Sequence, residues 1–227
     1  MKLRDVLDAL AQDLNDNKPS GTMPTRWERS QLLRYFNEGL CHVYTVKPNE
    51  FAELQLVKLE PGSIQKVCGC KQLLRVFGQT DETGLVVRDI PSMDFAIATR
   101  WTKKGCPAPF GEDYRITGLA MEALDNGHFR VYPPVPPGED VFINVLCANP
   151  PTPYTLADED VELDDCQAVS AARQWVMFAA LMVDDESEVG MAAAKIHAEL
   201  FFSILDVQFS KNLLTQMQQS AKRQGGA

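Results

Sequence analysis

The sequence predicts an α+β protein in which helices from both ends of the chain form one bundle and an antiparallel, β-rich domain is inserted between them. Three observations predict it. Apolar residues recur at helical spacing before residue 48 and again after residue 153. Between them lie short alternating runs punctuated by Gly, Pro and Asp. The segment Asn149-Pro150-Pro151-Thr152-Pro153 marks the return from strands to helices. The expected parts are a bundle from residues 1–48 and 153–212, an insert at 49–152 and a flexible tail at 213–227.

Leu3, Val6, Leu7, Leu10 and Leu14 share one helical stripe, and Lys18-Pro19-Ser20-Gly21 supplies breaker residues after it. A second helix is predicted from Thr25-Arg26-Trp27-Glu28, whose Thr-x-x-Glu spacing suits a capping box. Leu32, Leu33, Tyr35, Phe36, Leu40 and Val43 give it a broad apolar face, and Lys47-Pro48 stops it.

The runs ELQLVKL, SIQKV, LLRVF and GLVVRDI read as strands separated by Pro61-Gly62, Gly69 and Asp81-Glu82-Thr83-Gly84. Asn126-Gly127 is a tight-turn dipeptide leading into HFRVY, where Phe129 and Val131 share a face. In VFINVL, Val141, Ile143 and Val145 share one. The stiff PPVPPGED between these two runs is expected to make a rigid projecting hairpin, since each proline fixes φ and removes a donor.

Helical period returns with Val169, Ala172, Val176, Ala179 and Val183, while Trp175, Met177, Phe178, Leu181 and Met182 fill the other sides. A helix apolar nearly all round is a buried one. After Asp184-Asp185-Glu186 a last helix carries Val189, Ala193, Ile196, Leu200, Ile204 and Val207, widened by Phe201, Phe202, Leu205 and Phe209.

The net charge of −9 is uneven: residues 150–227 hold 12 acids against 5 bases. That balance argues against a nucleic-acid binder that neutralises phosphates with clustered Lys and Arg. The acidic N-terminal stretch lacks the apolar centre of a signal peptide, and no apolar run approaches the ~20 residues of a membrane span. A soluble, intracellular protein, with its six cysteines as reduced cytosolic thiols, is the expectation.

Catalytic signatures are sparse. Cys68-Gly69-Cys70 lacks the second pair or histidines that a structural zinc site wants, and Cys41 and His42 point about 100° apart on a helix. The acid runs 158–160, 164–165 and 184–186 lack the glycine and terminal glutamate of a calcium loop, and acids ahead of helices are favoured by the macrodipole. Phosphate-loop, dinucleotide and nucleophile-elbow motifs are absent. No catalytic residue, metal or cofactor is therefore expected. The rival reading is a small metal-dependent hydrolase using the acidic clusters or Cys68 and Cys70.

Several pieces, in order, resemble the head-to-tail adaptors of short-tailed bacteriophages, the tail-tubular-protein-A-like connectors. Trp27-Glu28 followed by Leu32-Leu33, Tyr35 and Asn37-Glu38-Gly39-Leu40 is similar to that family's opening helix. Phe129-x-Val131-Tyr132-Pro133-Pro134-x-Pro136-x-Gly138 with Val141-x-Ile143 resembles its proline-rich hairpin. Ala171 to Trp175 and Asp184 through Phe202 resemble its closing helix pair, whereas residues 99–113 match nothing in it.

The resemblance implies a structural virion protein at the head–tail junction, typically a dodecameric ring between portal and tail or nozzle proteins. Double-stranded DNA would pass through it without sequence-specific binding, and no membrane is involved. Two sets of contact residues are expected. Trp175, Phe178, Phe201, Phe202, Tyr132, Pro134 and Pro136 would meet neighbouring subunits, or else fill the protomer's own core. Phe209, Leu213, Leu214, Met217 and Arg223 would form a tail that docks on the portal.

Overall fold

The computed structural model describes residues 1–14, 27–91, 114–121, 127–164, 166–184 and 188–206, with backbone alone at 86–89, 184 and 188–189. It divides into two compact units, one from Met1–Glu50 with the chain from Pro151 onwards, the other from Phe51–Pro150.

The first unit is helical. Its elements are α1 (Leu3–Asp13), α2 (Arg29–Val46), α3 (Gln167–Asp184) and α4 (Glu188–Ile204). The stripe on α1 buries Leu3, Val6, Leu7 and Leu10, and α2 buries Leu32, Leu33, Phe36, Leu40 and Val43 as its periodicity requires. A start for α2 near Thr25 is not what is found: the helix begins at Arg29 with Glu28 as N-cap and no side-chain cap bond, and Thr25 lies outside the described residues. Arg29 is instead held by ion pairs to Asp8 and Glu159, both at 2.8 Å, while Trp27 is buried and meets Tyr35 edge-on.

Helix α3 is the centre of this unit. Both α2 and α4 pack on it, which is why it is apolar nearly all round: Ala171, Ala172, Trp175, Val176, Phe178, Ala179 and Ala180 are all buried. The approach of α2 depends on Gly39. A Cβ there would lie 3.0 Å from both the Ala172 Cα and the Trp175 Cβ, so the two helices meet backbone to backbone.

Helix α4 corrects the expected phase. Its packed face is Ala194, Ala198, Phe201, Phe202 and Leu205, whereas Ile196 and Leu200 of the predicted stripe are 57% and 42% exposed. The alanines let α4 lie close to α3, and the aromatics then fill the space beyond them. With large apolar residues on more than one side, size alone does not reveal the inward face.

The chain start is fixed to the segment before α3. Leu3 N–H bonds Val161 O, Arg4 N–H bonds Glu159 O and Leu163 N–H bonds Met1 O, making a short antiparallel bridge. Lys2 and Arg4 pair with Asp160 at 3.1 and 2.9 Å, and Asp158 accepts from the Thr155 N–H and hydroxyl. The acids of the 158–160 run thus cap a 3-10 turn (Leu156–Asp158) and face the N-terminal cations. The ion pairs are exposed and add little; the backbone bonds set the register.

The second unit contains two antiparallel sheets. One has the order β1 (Ala52–Lys58), β7 (Phe142–Ala148), β3 (Gln72–Thr80), β4 (Val86–Asp89); the other runs β2 (Gly62–Lys66), β6 (His128–Val135), β5 (Gly118–Met121). Both contribute to one core containing Val67, Leu119, Phe129 and Val131 together with Leu73, Val76, Ile143 and Val145. The predicted strand runs are all found, and Phe129/Val131 and Val141/Ile143/Val145 face inward together.

The expected hairpin of residues 129–146 is not formed. Strands β6 and β7 belong to different sheets, each central in its own. The reason lies in the prolines. Pairing of β6 with β5 ends at Tyr132, and its register against β2 jumps from Arg130 to Val135, so Pro133 and Pro134 sit where no ladder N–H is demanded. Pro136-Pro137-Gly138, with Gly138 at φ 89°, then turns the chain to the other sheet. The stiff segment is a corner between sheets.

Reduced thiols throughout are likewise not found. Cys70 and Cys147 form a disulfide with Cα atoms 5.6 Å apart, while Cys41, Cys68 and Cys166 are free. Pairing of Leu73 with Cys147 brings the loop before β3 to the end of β7, where Lys71 N–H also bonds the Asn149 side chain. A separation of 77 residues hides such a pair from spacing alone.

Two predictions follow from these contacts. Gly39→Ala is expected to lower stability by up to about 2 kcal/mol in urea unfolding, because an overpacking cost of about 1–3 kcal/mol is set against a helix-propensity gain of about 1 kcal/mol; a variant more stable than the parent would contradict the close approach. Complete reduction of the Cys70–Cys147 bond is expected to cost about 2–4 kcal/mol, as for other long loops. An unchanged urea midpoint, with the released thiols counted, would count against the bond.

Candidate functional site

The structure places the predicted contact residues in three different situations. Trp175, Phe178, Phe201 and Phe202 are at most 2% exposed. Trp175 lies 5.3 Å from Phe178 and 5.9 Å from Phe201 between ring centroids, and Phe201 meets Phe202 edge-on at 5.1 Å. These four belong to the protomer's own core, so the expectation that they meet a neighbour is corrected: aromatic excess on α3 and α4 is taken up by packing between those helices. Tyr132 and Pro136 are half-buried and Pro134 is exposed, at the end of β6. Phe209, Leu213, Leu214, Met217 and Arg223 lie outside the described residues.

A surface that the sequence did not reveal lies along α2. Ser30, Arg34, Asn37 and Cys41 on that helix, with Leu33, Pro153 and Tyr154, line a shallow, open cleft of about 540 Å³ whose walls are mainly apolar. Glu38 and His42 complete it. The cleft exists because Asn37 clasps the chain where it returns to this unit. Its Nδ2 donates to Tyr154 O at 2.8 Å, and its Oδ1 accepts from Tyr154 N–H at 2.9 Å. This two-way bond imitates a strand pair and holds the Tyr154 ring 6.3 Å from Phe36.

The electrostatics of the cleft follow from partial burial. Desolvation pushes the Glu38 carboxyl above its ordinary range, opposed by the Arg34 guanidinium and the Trp175 indole. Arg34 and Glu38 form an i,i+4 pair at 3.8 Å, which is too long and too exposed to offset that burial strongly. His42 stacks on Trp175 at 4.0 Å, and burial holds its pKa below the usual histidine value. Cys41, its sequence neighbour, is exposed, so the two do not combine as a nucleophile and base.

The chemistry proposed for the rival hydrolase is also altered. Cys70 is consumed by the disulfide, so Cys68 and Cys70 cannot act together as thiolate ligands. Among the described residues no group of three or more His, Cys, Asp or Glu side chains is arranged to hold a metal ion. Asp158 is committed to Thr155 and Asp160 to Lys2 and Arg4. Among the described residues, too, no helix is long and apolar enough to cross a membrane.

Asn37 had a sequence signal, standing inside Leu32-Leu33-x-Tyr35-x-Asn37-Glu38-Gly39-Leu40, but its partner 117 residues later did not. The cleft brings polar groups, the exposed Cys41 thiol among them, to an apolar wall of a kind that a partner's side chain can fill.

No curated protein matches the chain at a significant level. A family model described as SU10 adaptor protein matches residues 1–225, which span both units. The chain belongs to the SU10 adaptor protein family.

Proposed function

We propose that this protein is the head-to-tail adaptor of a bacteriophage virion, of the tail-tubular-A-like kind, assembling as a ring between the portal and the tail proteins. The observation that carries this reading is the family match over residues 1–225, which reaches through both compact units. A phage adaptor family is structural, and the role asked of each residue is packing and contact. The ring is dodecameric, surrounds the DNA exit channel, and is placed at the head–tail junction after assembly in the host cytoplasm.

Two physical features support the reading. The helical unit closes its own core around α3, so a protomer is a finished building block whose outward faces remain for partners. The acidic balance of residues 150–227 suits a channel wall that repels DNA and lets it slide. Glu159 and Asp160 are already paired with Arg29, Lys2 and Arg4, so the acids elsewhere in that region carry the repulsion.

The experiment is to mix the purified protein with portal complexes and image the product. Ring density capping the portal is expected, and portals that remain bare at micromolar protein would refute the role. Deleting residues 213–227 is expected to abolish portal binding while leaving the circular dichroism spectrum and thermal midpoint unchanged. Undiminished binding by the truncated chain would remove the tail from the docking surface.

A further inference from the structure

Two outward faces of the helical unit complement one another. On α4, Ile196 and Leu200 stand one turn apart and are 57% and 42% exposed, an apolar ridge that no described residue of the protomer covers. On α2 lies the apolar-walled cleft already described. Helices α2 and α4 each pack on α3, so the ridge and the cleft lie on two different helices of the same unit. A copy offering its ridge to the next copy's cleft makes a head-to-tail contact, the kind that closes into a ring when the rotation allows.

Charge fixes the occupant and its direction. The ridge is bordered by Lys195 and Glu199, an i,i+4 pair at 3.7 Å, and the cleft by Arg34 and Glu38, an i,i+4 pair at 3.8 Å. Both pairs span four residues, or about 6 Å of helix. If the helices run antiparallel, Lys195 meets Glu38 and Glu199 meets Arg34. A parallel arrangement would set like charges opposite each other, which is costly at an interface. In the antiparallel register Leu200 falls opposite Leu33, Ile196 opposite Asn37 and the exposed Ala192 opposite Cys41.

We propose that α4 of one subunit seats Ile196 and Leu200 in the α2 cleft of a second copy of this chain, antiparallel, with Lys195–Glu38 and Glu199–Arg34 pairs across the interface. This rests on the ring reading above and assigns the surface through which the ring closes. The half-buried Glu38 carboxylate gains a second cation beside Arg34 when the neighbour arrives, a charge that offsets the cost of burying it. The four core aromatics first expected at the contact have no part in it.

Cys41 is a built-in reporter, being exposed and beside the cleft. Full-length Ala192→Cys protein, assembled on portal complexes and mildly oxidised, is expected to give a ladder of disulfide-linked multimers, and Cys41→Ser in the same background to abolish it. Ile196→Glu with Leu200→Glu, both at exposed positions, is expected to raise the concentration needed for assembly by roughly tenfold or more, with the monomer's thermal midpoint unchanged. Rings that form without a Cys41-dependent ladder, or that tolerate the double glutamate variant, would overturn this interface and leave the ring reading standing. Failure of the unmodified protein to form any ring on the portal would overturn both.

Discussion

The helical unit depends on one constraint: α3 must be packed against helices drawn from both ends of the chain. Trp175 shows how tightly this is met. Its indole stacks on His42 of α2, touches Phe178 on its own helix and reaches Phe201 on α4. Gly39 removes the side chain that would otherwise keep α2 away from Ala172 and Trp175. An aromatic core of this kind contributes both burial and ring-edge contacts, and it tolerates little change in volume. It also requires the chain to return after the second unit, Phe51–Pro150, and the Asn37–Tyr154 clasp fixes the point of return.

The β unit solves a related problem by a different route. Its two sheets share one core, and the chain passes from the centre of one to the centre of the other through Pro133 to Gly138. A segment with few free N–H groups can make that passage without leaving donors unsatisfied. Polar side chains complete the accounting elsewhere. Gln65 is buried and bonds Glu60 N–H, Glu60 O and Gly62 O, while Asn144 donates to Gly84 O. Tyr114 donates to Pro133 O at 2.6 Å, and burial keeps its hydroxyl protonated.

The α+β class and the strand runs could be read from the sequence because period-two and period-3.6 patterns are local properties. ELQLVKL and HFRVY alternate, and Leu3 to Leu10 form one stripe, whatever the rest of the chain does. What could not be read depends on distant partners. Nothing in FRVYPPVPPGEDVFINVL states that its two strands join different sheets. Cys70 and Cys147 are neighbours only because β3 pairs with β7. The inward face of α4 is set by Ala194 and Ala198, small residues that carry no hydrophobic weight, while the conspicuous Ile196 and Leu200 point away. The candidate surface was missed for the same reason, since Tyr154 comes to α2 from 117 residues away.

Inward aromatics and outward aliphatics together describe a subunit that is complete by itself and still has surface to offer. The most direct measurement is a reconstruction, at side-chain resolution, of the protein assembled on its portal. It is predicted to show Trp175, Phe178, Phe201 and Phe202 enclosed within each protomer, with Ile196 and Leu200 covered by α2 of the next copy. Solvent on both faces of α4 and α2, or Trp175 inserted into a neighbouring subunit, would contradict the account.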